Sequence, residues 1–121
     1  WCETYAEALT YVNEHADQGD IIWVQPWSHD VLVYYQLIGK MRPDLKIAAE
    51  PYGTSIFGPI VTLRPGTSYH DADYILFQYR QSYFGGRLGQ DYITPQWLEE
   101  HDPVYQIEHQ GIPLLQIFKK E

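Results

Sequence analysis

The chain has 121 residues, of which 8 are Lys or Arg and 16 are Asp or Glu, for a formal net charge of −8. That length suits one domain with a real core, and 45% apolar with 20% charged residues is a globular rather than a disordered composition. The acidic balance argues against a nucleic-acid surface and a polybasic membrane patch, and the lone Cys2 excludes an internal disulfide or a cysteine-based zinc site.

Thr4-x-x-Glu7 has the spacing of a capping box, and Tyr5, Ala8, Leu9, Val12 and Ala16 then recur at helical period. The first helix is expected to stop at Asp17-Gln18-Gly19-Asp20, with Gly19 as the left-handed residue. Ile21-Ile22-Trp23-Val24 is short and apolar on both faces, the pattern of a central parallel strand. Ser28 is placed to cap a second helix over 29–40. Its Val31, Leu32, Tyr34, Tyr35, Leu37 and Ile38 cover most of the circumference, which predicts burial on more than one side. A second strand is expected over 45–49. The stretch 51–65, broken by Pro51, Gly53, Gly58, Pro59 and Pro65, allows either a short helix or an irregular strand around 60–63.

A third central strand is predicted over 73–79, followed by a long loop over 81–92. Thr94-Pro95 then opens a short helix running to about residue 100. Strands over 104–109 and 112–118 are joined at Gln110-Gly111, a hairpin signal. Pro113 has no amide proton to give a ladder, so the last strand is expected at the sheet edge there. Alternating strands and helices imply an α/β fold with right-handed parallel crossovers. The expectation is a single domain over 1–121: a three-layer sheet, parallel strands in the order 2-1-3, finished by a C-terminal antiparallel hairpin. No apolar run reaches the length of a membrane span. The opening Trp1-Cys2-Glu3 carries no initiator Met and reads as the start of a piece cut from a longer protein.

Three His-Asp pairs, His29-Asp30, His70-Asp71 and His101-Asp102, fall where caps and turns are expected, and sequence neighbours point in different directions. Local capping is therefore their plain reading. His70-Asp71-Ala72-Asp73 lacks a defined ligand spacing, so neither a metal nor a cofactor is expected. A positional argument singles out one crevice. Ligands of open parallel sheets bind beyond the carboxyl ends of the strands, where the strand order reverses. Order 2-1-3 puts Trp27, Ser28, His29 and Asp30 on one side of that crevice and Tyr79, Arg80 and Gln81 on the other, flanked by Glu50 and Tyr52. Trp27 and Tyr79 would stack on a sugar ring, and Arg80 would meet a phosphate or carboxylate. The alternative is a crevice filled by its own aromatics. In the loop over 81–92, Tyr83, Phe84 and Arg87 are contact candidates for membrane headgroups or a saccharide, unless the two rings fold back into the core.

Leu63-Arg64-Pro65-Gly66-Thr67, Asp71-Ala72-Asp73-Tyr74-Ile75-Leu76-Phe77, Pro103-Val104-Tyr105-Gln106-Ile107 and Gly111-Ile112-Pro113-Leu114-Leu115-Gln116-Ile117-Phe118 are similar to stretches of one protein family. They resemble the soluble C-terminal region of bacterial membrane glycosyltransferases that use polyprenyl-phosphate sugars, the protein O-mannosyltransferase-like enzymes. The opening 5–24 resembles the start of that region. In such enzymes a multi-helix membrane part binds the lipid-phosphate-sugar donor, and an acidic residue of an early extracytoplasmic loop is the general base. No residue here matches those positions, so no catalytic residue is carried over. The resemblance implies an extracytoplasmic accessory domain, inactive by itself, that orients the acceptor or closes the active site. Its implied partners are the membrane-embedded part of the same chain and a saccharide or protein acceptor. The rival expectation is a free-standing α/β domain, binding or enzymatic, that uses the crevice; a third is an interaction module without a ligand.

Overall fold

The computed structural model describes residues 2–24, 28–49, 55–78 and 95–120. They form α1 (Cys2–His15), β1 (Ile21–Val24), α2 (His29–Leu37), β2 (Lys46–Ala49), β3 (Leu63–Pro65), β4 (Tyr74–Gln78), α3 (Pro95–Glu100), β5 (Tyr105–His109) and β6 (Ile112–Lys119). A six-stranded mixed sheet runs β3-β2-β1-β4-β6-β5. β1 pairs in parallel with β2 and β4, β2 pairs in parallel with β3, and β6 is antiparallel to both β4 and β5. The expected 2-1-3 core is present as β2-β1-β4, and β3 extends it from the proline-broken stretch.

The strands alternate between two apolar clusters, as a pleat with both faces covered requires. Ile22, Val24, Ile47, Tyr74, Leu76, Leu115 and Ile117 join Tyr5, Leu9 and Val12 of α1 and Leu32 and Val33 of α2 in the larger cluster. Trp23, Ala48, Ile75, Phe77 and Phe118 form the smaller one with Ala72, and Tyr69, Trp97 and Leu98 pack against it. Strand starts are pinned by Asp73. Its Oδ2 accepts from the Ile21 amide at 2.8 Å, and its own amide donates to the Ile21 carbonyl at 2.8 Å.

Arg42 ties the end of α1 to the sheet. Its Nη1 donates to the carbonyls of Asn13 (3.1 Å) and Ala16 (2.7 Å), which the helix itself leaves without partners. Its Nε and Nη2 grip Asp44 at 3.0 and 2.7 Å. The guanidinium holds the Asp44 carboxyl down at about 2. Gln36 closes the other side: its Nε2 donates to the Arg42 and Leu45 carbonyls, and its Oε1 accepts from Thr62 Oγ1 at 2.6 Å.

Several expectations are corrected. α1 begins at Cys2, so Thr4 lies inside the helix and not at its cap. Thr4 Oγ1 accepts from Gln78 Nε2 at 3.0 Å, and Glu7 accepts from the Tyr105 hydroxyl. Gly19 is left-handed, with φ +80°, but in the turn after the helix. α2 ends at Leu37, three residues early, because Gly39 at φ +81° turns the chain and sends the Lys40 and Met41 amides back to the Tyr35 carbonyl. Nor is α2 buried all round: Tyr34, Leu37 and Ile38 stay exposed. The hairpin turn is as read, with positive φ at both Gln110 and Gly111. β6, however, is an interior strand and β5 the edge. Pro113 is tolerated because it faces Glu108 next to a register shift, two residues beyond Leu115, whose partner Gln78 is the last described residue of β4. The loop over 81–92 lies outside the described residues.

Candidate functional site

The strand order reverses between β1 and β4, so the sheet has the switch point from which the crevice is argued. Trp27, Tyr79, Arg80 and Gln81, which would line it, lie outside the described residues, as do Glu50 and Tyr52, and the loop candidates Tyr83, Phe84 and Arg87. Ser28, His29 and Asp30 are brought to its edge by the start of α2. Ser28 occupies the N-cap position without a side-chain capping bond. His29 is buried, with Nε2 4.0 Å from Asp30 Oδ1. The same Oδ1 accepts from Ser55 Oγ at 2.6 Å. A serine nucleophile needs its hydroxyl on the imidazole, whereas here the carboxylate takes the hydroxyl. The arrangement fastens the 55–62 segment to α2.

A second site escaped the sequence reading. A cleft of about 480 Å3 is lined by Tyr69, His70, Ile75, Trp97, Glu100, His101, Asp102, Phe118, Lys119 and Lys120. Trp97 stands edge-to-face against Tyr69 (5.5 Å between centroids) and Phe118 (5.2 Å). Each histidine lies on an aromatic ring, His101 on Trp97 at 3.9 Å and His70 on Tyr69 at 4.1 Å. His101 Nδ1 is 2.7 Å from the Trp97 carbonyl. A carbonyl only accepts, so Nδ1 carries the proton and Nε2 keeps its lone pair as an acceptor. Of the His-Asp pairs, His101 closes the end of α3, His70 sits in a turn whose amides at His70 and Asp71 bond to Ser68, and Asp30 accepts from Ser55 instead of capping. The sequence signal for the cleft is the Trp97–His101 spacing of four, which stacks the two rings on one helix face. Among the described residues no three His, Cys, Asp or Glu side chains converge to hold a metal ion.

A third feature is apolar. The 55–62 segment runs along α2, through Ser55 on Asp30, the Phe57 ring on Tyr34 (6.3 Å) and Thr62 on Gln36. Tyr34 and Leu37 of α2, Ile38 at its C-cap, and Ile56, Phe57 and Val61 of the segment are all exposed, Val61 to 90%.

Compared with known proteins, the chain matches no family model, no curated protein and no solved structure. No helix among the described residues is long and apolar enough to cross a membrane.

Proposed function

We propose that the chain is a non-catalytic accessory domain of a membrane glycosyltransferase with a lipid-phosphate-sugar donor, docked at the extracytoplasmic face on the membrane-embedded part of its own polypeptide. The observation that carries the reading is the exposed apolar side formed by α2 and the 55–62 segment. Exposed apolar surface of this kind marks protein or membrane contacts. The segments that resemble the family also fall on real elements, namely β3, β4, β5 and β6. In this reading the sheet is the middle of three layers, α1 and α2 on one face and α3 with the 69–72 turn on the other. The α1–α2 side faces the membrane part.

The parent reading frame tests it. Eight or more apolar spans encoded upstream of Trp1 are expected, and a start codon close to Trp1 would overturn the reading. In the full-length enzyme, Leu37→Glu with Val61→Glu should lower transfer while leaving the thermal midpoint of the domain unchanged.

A second reading rests on the switch point between β1 and β4, with His29 and Asp30 at the start of α2: a free-standing small-molecule site in the crevice. It predicts a ligand whose binding is lost in Asp30→Asn and untouched by Leu37→Glu.

A further inference from the structure

We propose that the cleft between α3 and the 69–70 turn binds a saccharide. The argument rests on the lining and is independent of how the domain is attached to anything else. The floor is apolar, formed by Ile75 and Phe118, and the walls are the Tyr69 and Trp97 rings. Two carboxylates, Glu100 and Asp102, line it together with His70, His101 and the cationic Lys119 and Lys120. A volume of about 480 Å3 is in the range of small-molecule sites.

Other ligand classes fit this lining poorly. A phosphate or other dense anion meets Glu100 and Asp102 as well as Lys119 and Lys120, a lining without net positive charge on a chain of net charge −8. A metal ion lacks three converging ligands among the described residues. An organic ammonium needs an open ring face, and one face of Trp97 and one of Tyr69 are covered by His101 and His70. A wholly apolar ligand would strip water from Glu100, His101 and Asp102 without returning hydrogen bonds. A sugar ring supplies what remains. Its C–H face packs on the ring-backed imidazoles, its vicinal hydroxyls donate to Asp102, and one further hydroxyl donates to His101 Nε2.

The test is a titration of the isotope-labelled 121-residue chain with methyl mannoside, methyl glucoside and N-acetylglucosamine, following backbone amides by NMR, with inorganic phosphate and tetramethylammonium as controls. Saturable shifts confined to 69–70, 97–102 and 118–120 are expected with at least one sugar. Asp102→Asn should weaken binding roughly tenfold, the loss of one hydrogen bond to a charged acceptor. Asp102 is exposed, so its variant keeps the fold, and unchanged amides elsewhere verify that. Absence of shifts with every sugar, shifts indifferent to Asp102→Asn, or shifts with only phosphate or tetramethylammonium would each overturn the proposal. A domain preceded by membrane spans that binds no sugar sinks the cleft alone. A sugar-binding chain without such spans sinks the accessory reading alone.

Discussion

The larger apolar cluster joins aliphatic strand residues to side chains of α1, 14 residues long, and α2, 9 residues long; the smaller one, dominated by Trp23, Phe77 and Phe118, has Tyr69 and side chains of the 6-residue α3 packed against it. The first is closed by fitted helices whose ends are fastened by Arg42 and Gln36. The second leaves its rings against an open cleft. The larger cluster is thus closed by helices, while the smaller one borders the cleft. Aliphatic side chains interdigitate and exclude solvent, whereas rings with polar edges keep value at a half-open surface.

The largest break in that comparison is Trp23→Ala. Trp23 is fully buried in the smaller cluster, and its loss should cost about 3–5 kcal/mol. Urea denaturation would measure it, and a cost near zero would mean that the smaller cluster is no core at all. Next is Thr62→Val, nearly isosteric, which deprives Gln36 Oε1 of its donor. It should cost about 1–3 kcal/mol by the same measurement. A third change is confined to acid. The folded Asp44 carboxyl is held at about 2 against an ordinary 3.8, so its contribution is present above pH 4 or so and is lost as pH falls toward 2. Arg42→Met should flatten stability across that window. Asp20, whose carboxyl burial pushes up, works in the opposite sense and partly offsets the loss. The smallest effect belongs to Leu37→Lys. That side chain is 60% exposed, and the stability of the isolated domain should move by less than about 0.5 kcal/mol. A larger loss would show that the α2 face is packed within this chain, which removes the basis for docking.

The parallel core was legible because Ile21-Ile22-Trp23-Val24 and Tyr74-Ile75-Leu76-Phe77 are apolar at every position, which only a strand covered on both faces tolerates. β3 was ambiguous because three residues ending in a proline carry little periodicity. Thr4 misled because a capping box is a local pattern, and tertiary partners, Gln78 for Thr4 and Tyr105 for Glu7, claimed both side chains. The exposure of Tyr34, Leu37 and Ile38 was hidden in composition, since an apolar helix reads the same whether its second side meets a core or a partner. The cleft was least legible of all. His70 and His101 are brought to one place by the sheet and by α3, and neither position announces the other.

The place of β6 in the sheet has a consequence for how the molecule is made. It is the latest of the described strands to be synthesised, yet it lies between β4 and β5 and under α1. A nascent chain that still lacks 112–119 therefore has β4 open along one edge, β5 without a neighbour, and α1 with much of its apolar stripe uncovered. Pairings of such long sequence separation form slowly, and exposed strand edges invite association with other chains. The domain should accordingly remain protease-sensitive on the ribosome until its closing strand has emerged, and then fold in one step.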